Sequence, residues 1–536
     1  MRSLISKLRL ERLLKSSGGS SDESGVKPGK LEIVETQEAL AVAENLICDG
    51  IAYYSETGFS GSPNGNGVAT PDTLNAFGRP VMNLGAESVS GAIAAGAGMG
   101  LTGLRAAVFV SGDQLSEGLN QVQILPTKHI PLVLHASFRE ASGVESSHDG
   151  YYTAKDMGFF QVMPGSIQEA VDLTLLARWL AERALVPGFV ASDRHVVERV
   201  VLPTVELVRE FLGDSGEEIE SPSAAQLLLF GGQRPTAPRW YDLDRPVSFA
   251  SLQGSSDGIS AAVGREVFFS KQIAALAEQG MAKLGKLTGR PLSFVSEYAI
   301  GDADQVIVTQ GSSFQTVRAA AELLRNEKGW KVGVLGVTWL RPFPAAQIQR
   351  ALGSKKRVVV LECAGSALAG EPPLLREIRS CLSKNNAQWV SATDGLNGQP
   401  LHLGEVSQLI ADSRTKDSRA KVWLGITSSK PKAGDFPKRE GLLTAVNSDY
   451  PELAKATITA AEPLDYPGNE TKSLQWVGPY TSSIPETMAR LAKTCSDVAG
   501  PEVHGYGWSP EPGVLSIRVS AGKSPAPIPE AGAHID

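Results

Sequence analysis

Between Asp304 and Leu361 the chain alternates apolar runs of strand length with amphipathic runs of helix length. The order is strand Asp304–Thr309, turn Gly311-Ser312-Ser313, helix Phe314–Glu327, strand Trp330–Val337, helix Pro344–Leu352 and strand Arg357–Leu361. Links this short tie β-α-β-α-β into a parallel sheet with right-handed crossovers. Leu31 to about Val200 alternates in the same way, so the chain reads as two successive α/β units. In the first, Ile47–Tyr54 is a strand leading into a Gly/Ser/Asn/Pro loop, Ser55–Gly67. Leu104–Val110 is a buried strand ending in Ser111-Gly112, and Ile130–Arg139 is another. Between them Leu115, Leu119, Val122 and Leu125 recur at helical spacing; later Ser166–Leu185 is an amphipathic helix followed by a short strand, Pro187–Ala191. In an open parallel sheet ligands gather outside the carboxyl ends of the strands, and Arg139 falls at such an end.

The run from Gly85 to Gly96 is of helix length, consists almost wholly of small residues and carries one carboxylate, Glu87. Each glycine inside a helix costs about 1 kcal/mol relative to alanine. Two readings are open: tight packing on a sheet with Glu87 complementing the helix dipole, or close approach of a ligand that Glu87 meets. Arg139 is likewise either half of a structural ion pair or a planar two-pronged carboxylate binder. Gly311-Ser312-Ser313 either holds an anion at a helix N-terminus or supplies a serine cap.

At 536 residues the chain has room for two or three cores, and a net charge of -7 argues against a nucleic-acid or anionic-membrane surface. No apolar run approaches the ~20 residues that span a bilayer. Cys48, Cys363, Cys381 and Cys495 are scattered, so no C-x-x-C pair exists to hold an iron-sulfur cluster or zinc, and free thiols in a reducing cytoplasm account for them. The division expected is a basic arm and flexible linker at 1–30, α/β domains at 31–300 and 301–428, and a connector with a partial third domain at 429–536. Leu4, Ile5, Leu8, Leu10, Leu13 and Leu14 among five basic residues make the arm amphipathic, a docking arm or tail rather than a secretory signal. Gly213–Arg239 reads as a surface insertion, and Ile259–Leu287 as helical. Trp476–Gly522 looks too small to bury a core alone and is expected to be completed by another chain.

The order of several motifs resembles the pyruvate:ferredoxin or flavodoxin oxidoreductases and their relatives acting on other 2-oxoacids. In the first domain these are Ala86-Glu87-Ser88, Val110-Ser111-Gly112, His135-Ala136-Ser137-Phe138-Arg139, Ser147-His148-Asp149, Asp156-Met157-Gly158-Phe159 and Ser166-Ile167-Gln168-Glu169-Ala170. In the second they are Leu287-Thr288-Gly289-Arg290, Gly311-Ser312-Ser313, Leu340-Arg341-Pro342-Phe343-Pro344, Val358–Glu362 and Gly370-Glu371-Pro372-Pro373. The resemblance implies a doubly wound, pyrimidine-type thiamine diphosphate domain followed by a transketolase C-terminal-like α/β domain, together an α-type subunit.

On the same resemblance, Glu87 is the glutamate that hydrogen-bonds the aminopyrimidine ring, favouring the tautomer that takes the thiazolium proton. Arg139 holds the 2-oxoacid carboxylate, and Thr57 hydrogen-bonds substrate, although Tyr54-Ser55-Glu56-Thr57-Gly58 lacks both prolines of the usual Tyr-Pro-Ile-Thr-Pro. His148 and Asp149 are loop anchors near the site. Thr481, Ser482 and Ser483 correspond to a coenzyme A contact whose glycines are replaced. Diphosphate and Mg²⁺ want a Gly-Asp-Gly segment with a later Asn; Gly112-Asp113-Gln114, Gly213-Asp214-Ser215, Gly301-Asp302-Ala303 and Gly434-Asp435-Phe436 all lack the second glycine. The implied assembly therefore adds a β-type subunit binding diphosphate and Mg²⁺, γ/δ-type subunits, iron-sulfur clusters on partner chains, and ferredoxin or flavodoxin. The expected activity is oxidative decarboxylation of a 2-oxoacid with coenzyme A. A non-catalytic scaffold or regulatory relative, and a thiamine-dependent decarboxylase subunit, are the alternatives.

Overall fold

The computed structural model describes residues 29–535 apart from 55–72, 139–146, 244–254, 426–440, 459–471, 480–483, 509–513, 523–532 and a few shorter stretches. The first half supplies β1 (Lys30–Glu35), α1 (Thr36–Ile47), β2 (Gly50–Tyr53), β3 (Met82–Gly85), α2 (Val89–Leu101), β4 (Ala106–Ser111), β5 (Val133–Phe138), β6 (Phe160–Val162), α3 (Ile167–Ala184), β7 (Gly188–Asp193) and β8 (His195–Leu202). The second half adds α4 (Ile273–Thr288), β9 (Val295–Tyr298), β10 (Gln305–Thr309), α5 (Ser313–Lys328), β11 (Val332–Val337), β12 (Trp339–Arg341), β13 (Arg357–Glu362), α6 (Pro373–Cys381), β14 (Gln388–Thr393) and β15 (Lys421–Trp423). Last come β16 (Lys472–Pro479), α7 (Ile484–Ala499), β17 (Glu502–Trp508), β18 (Val514–Gly522) and β19 (Ala533–Ile535).

Strands β3-β2-β4-β5-β7-β6 run parallel as neighbours, with β12 antiparallel on the β6 edge. The expected parallel sheet of the second unit is β15-β14-β13-β10-β11, with β9 antiparallel at its end. Because β12 leaves its own unit to pair with β6, the two units share hydrogen bonds across their boundary.

Alternation along the strands divides the first core. Val108, Leu132 and Leu134 pack with Val89 and Ile93 of α2, whereas Ala107, Phe109 and Val133 pack with Leu173, Leu176 and Leu180 of α3. Each buried Val, Leu, Ile or Phe side chain among them contributes about 1.5–3 kcal/mol. Gly96 shows why α2 gives up side chains on its inner face: a Cβ there would lie 2.2 Å from Val108 Cγ2. Ionisable side chains meet within the core: His135 Nε2 lies 2.7 Å from Glu44 Oε1, and Arg105 grips Glu182 through two bonds of 2.8 and 3.1 Å. Burial raises the Glu44 pKa, but the His135 hydrogen bond and the Arg178 charge bring it below the usual carboxylate value.

Three expectations need correction. The helix of the small-residue run begins at Val89, because Gly85 closes β3 and Ser88 caps the helix by accepting Gly91 N–H at 3.0 Å. The 213–239 stretch is not simply surface: Arg234 is buried and donates to the Glu182 carbonyl, and Trp240 is buried after it. The C-terminal segment finds its sheet partners in this chain, since the third sheet runs β1-β8-β17-β18-β16-β19 and joins β8 to β17 from His195↔Gly507 to Glu198↔His504. Val197 packs with Met488, Ile517 and Val519 in that core.

Candidate active site

The carboxyl ends of β2, β3, β4, β5 and β7 point the same way, which gathers their loops at one rim of the sheet. At β3, Ala86 N–H donates to Tyr53 O at 2.8 Å, so the chain is held to β2 until the turn that enters α2. Glu87 occupies that turn. Its side chain is exposed, and no hydrogen bond or ion pair joins it to another described residue. Gly91, Ala94 and Gly98 follow at helical spacing on α2; Ala94 and Gly98 are exposed, and a Cβ added to Gly98 would meet nothing within 4 Å. The small-residue run thus has two faces, one closed on Val108 and one open beside a carboxylate that no described residue pairs with.

Arg139 lies outside the described residues, as do Thr57, Thr481, Ser482 and Ser483. The end of β5, which precedes Arg139 in the sequence, is described. Phe138 O accepts Arg194 N–H at 3.2 Å. Its ring lies so close to Gly112 that a Cβ there would stand 2.3 Å from Phe138 Cδ1, and it meets His148 and Tyr151 edge-on, each at a centroid distance of 6.2 Å.

Behind Phe138 a buried polar seam joins the two parallel sheets. Asp193, at the end of β7, accepts Ser312 N–H at 3.0 Å and lies 3.3 Å from His148 Nε2. Burial pushes the Asp193 carboxyl up, yet His148, the Arg194 charge and Ser312 N–H together hold it below the usual carboxylate range. Arg194 donates to Ser313 Oγ at 2.9 Å and Asp394 Oδ2 at 2.8 Å. His148 N–H reaches Cys363 O at 2.7 Å, and Asp149 Oδ2 accepts Ser147 Oγ–H at 2.7 Å and Gly365 N–H at 3.1 Å. His148 and Asp149 are therefore anchors between units. Ser312 makes no side-chain cap; the N-terminus of α5 is met by the chain's own Asp193. Sequence reasoning missed Asp193, Arg194 and Asp394. The available signal was Ser192-Asp193-Arg194 closing the apolar run that begins at Gly188, at the carboxyl end where ligands and partners collect. Glu362, at the end of β13, accepts Leu374 and Leu375 N–H, and burial pushes its carboxyl up to about 7.

Elsewhere, a cleft of about 300 Å³ lined by Pro126, His129, Met157 and Phe269 precedes β5, at the opposite end of that strand from the rim. Among the described residues no three His, Cys, Asp or Glu side chains converge as a metal site, and no helix is long and apolar enough to cross a membrane. All four cysteines are free thiols.

Two family models match this architecture in order. The thiamine diphosphate-binding domain of pyruvate flavodoxin/ferredoxin oxidoreductase matches residues 72–240, and core domain II of pyruvate:ferredoxin oxidoreductase matches residues 303–406. The chain belongs to the pyruvate:ferredoxin oxidoreductase family. It is 28% identical over 340 residues to pyruvate synthase subunit PorA of Thermotoga maritima, covering 61% of this chain and 81% of that subunit. The PorA subunit of Pyrococcus furiosus is 29% identical over 358 residues, covering 63% of this chain and 84% of the subunit. The pyruvate:ferredoxin oxidoreductase of Moorella thermoacetica is 24% identical over 375 residues, which cover 66% of this chain and 30% of that protein. A solved 2-oxoglutarate:ferredoxin oxidoreductase from Magnetococcus marinus shares the fold, with a TM-score of 0.52 at 14% identity over 72% of this chain and 65% of that one. The thiamine-domain match contains Glu87, Arg139 and the Phe138–Asp193 seam, and the domain II match contains Ser312, Cys363 and Asp394.

Proposed function

We propose that this family member is the α-type subunit of a thiamine-dependent 2-oxoacid:ferredoxin oxidoreductase, with pyruvate the leading substrate. The reaction converts a 2-oxoacid and coenzyme A to acyl-CoA and CO₂ and passes the electrons to ferredoxin. One observation supports the reading: Glu87 presents an exposed carboxylate that no described cation pairs with, at the rim where the strands of the region matching a thiamine-binding domain end. The residues fit a pyrimidine ring in their chemistry. A carboxyl group can share a proton with a ring nitrogen, and the open Ala94/Gly98 face leaves room for another chain to close over it.

When bound, thiamine diphosphate supplies the nucleophilic carbon and the electron sink for decarboxylation. Glu87 holds the proton at the ring nitrogen, and its water is excluded by the partner that covers α2. Arg139 pairs with the substrate carboxylate in two-pronged fashion, and Thr57 donates a hydrogen bond to the same substrate. Thr481, Ser482 and Ser483 are the candidates for a coenzyme A contact. Diphosphate and Mg²⁺ fall to a β-type subunit bearing Gly-Asp-Gly and a later Asn, and the clusters to γ/δ-type chains or their equivalents, since the four scattered thiols here cannot bind one. Free thiols also suit a reducing cytoplasm.

Co-expression with a chain bearing Gly-Asp-Gly tests this. The reading expects a stable complex whose dye reduction needs a 2-oxoacid, coenzyme A and thiamine diphosphate together. A complex that binds thiamine diphosphate without any 2-oxoacid-dependent dye reduction would overturn it in favour of a scaffold role.

A further inference from the structure

We infer that the cleft just before the starts of β5, β6 and β7 is a binding site for a small apolar carboxylic acid, whose carboxylate Arg265 takes and whose body lies on Pro126, Met157, Val186 and Phe269. The site is separate from the rim that carries Glu87, and the inference does not depend on the proposed function.

Its walls come from separate stretches of chain gathered at one end of the first sheet. Pro126 and His129 precede β5, Met157 precedes β6 and Val186 precedes β7. The remaining wall, Arg265–Phe269, falls between the two family-matched regions. β5 is six residues long, about 20 Å at the rise of a strand, so a small molecule in the cleft is out of reach of the rim. A volume of about 300 Å³ stands at the small end of the range for ligand sites. The Arg265–Phe269 wall is a π-helical turn, in which Ser270 N–H reaches back to Arg265 O. Such turns are rare and gather at functional sites, and here both ends of the turn line the cleft. Phe269 is buried and its ring stacks on His129, the centroids 3.8 Å apart. His129 itself stands at a left-handed φ of 54°, uncommon for a residue with a side chain, so the pair is held in place from both sides.

Charge decides the class of ligand. Burial, opposed by a hydrogen bond to the Leu185 backbone and aided by the Arg265 charge, holds the His129 pKa down to about 4, so its ring is uncharged at neutral pH. Asp156, the carboxylate on the wall, is largely exposed and already engaged by Arg341 at 2.7 Å. Arg265 is half-buried and pairs with no described carboxylate. The cleft therefore offers one guanidinium beside an apolar floor, which suits a single negative charge, planar and two-pronged, on an apolar body. A dianion would leave one charge unmet, and a neutral molecule would leave the guanidinium without an anion.

Titration calorimetry on the full chain tests this, with phenylacetate and isovalerate as the probes. At least one acid should bind with saturation, and its amide should bind about tenfold more weakly or not at all. Arg265→Gln should weaken binding of the acid about tenfold. Thr127→Trp, which sets a bulky ring at an exposed position on the wall, should block binding while the chain stays folded. Glu87→Gln should leave binding within about twofold, because the rim lies at the other end of β5. Absence of saturation by about 10 mM of both acids, equal binding of acid and amide, or unchanged binding in either Arg265→Gln or Thr127→Trp overturns the inference. Loss of binding in Glu87→Gln overturns it as well, by moving the acid to the rim.

Discussion

Asp193, closing the last long parallel strand of the first sheet, accepts the backbone N–H of Ser312 at 3.0 Å, at the first turn of a helix in the second unit. The contact joins the two family-matched regions at the end of the molecule where their strands finish, and it places a carboxylate where helix dipole and free N–H groups favour one.

Gly112 is predicted to tolerate no side chain. Gly112→Ala puts a methyl 2.3 Å from Phe138 Cδ1 and 2.4 Å from Cε1, inside an already filled contact. Overpacking of this kind costs about 1–3 kcal/mol, read as a lower denaturation midpoint. A midpoint equal to wild type would mean that Phe138 is free to move.

Removing Arg105 leaves Glu182 buried without its two-bond partner. Arg105→Met should therefore lose about 3–5 kcal/mol, and the double change Arg105→Met with Glu182→Met should recover much of that. Urea denaturation of both variants checks it; equal losses in the two would show that the pair is not the source.

Glu362 predicts a pH dependence with a definite sign. Its folded pKa, about 7, lies above the unfolded value near 4.5, so its contribution is complete below pH 4.5 and disappears as pH rises through 7. The amount is about 3 kcal/mol at most. Melting curves of wild type and Glu362→Gln at pH 5 to 8 should converge at the acidic end and diverge at the alkaline end, with wild type losing more. Parallel curves would contradict it.

Truncation after residue 470 should expose the edge of β8 and the Val197 core it shares with the C-terminal segment. An uncovered apolar edge recruits other chains, so the shortened protein should self-associate in light scattering while the full chain does not. A monodisperse truncated chain with unchanged melting would show that the third sheet is dispensable.

The parallel sheets were legible in the sequence because their strands are continuous apolar runs separated by helices of clear period, as at Gln305–Thr309 and Arg357–Glu362. The helix start at Val89 was not, since glycine and alanine carry no periodic signal and only Ser88 marks the cap. Pairing of β8 with β17 joins residues some three hundred positions apart, and nothing local in either strand names the other. Glu87 and Arg139 stood out by residue type and strand position. The seam did not, because Asp193 at a strand end and His148 and Ser312 before helices are each ordinary polar residues until the two units bring them together.

Glu87→Gln in the assembled complex bears on the account most directly, because it keeps size and hydrogen-bonding capacity while removing the ionisable proton site. The prediction is an intact complex whose 2-oxoacid-dependent ferredoxin reduction falls by about 100-fold or more. Turnover within about threefold of wild type would contradict the assignment of that carboxylate to the cofactor ring.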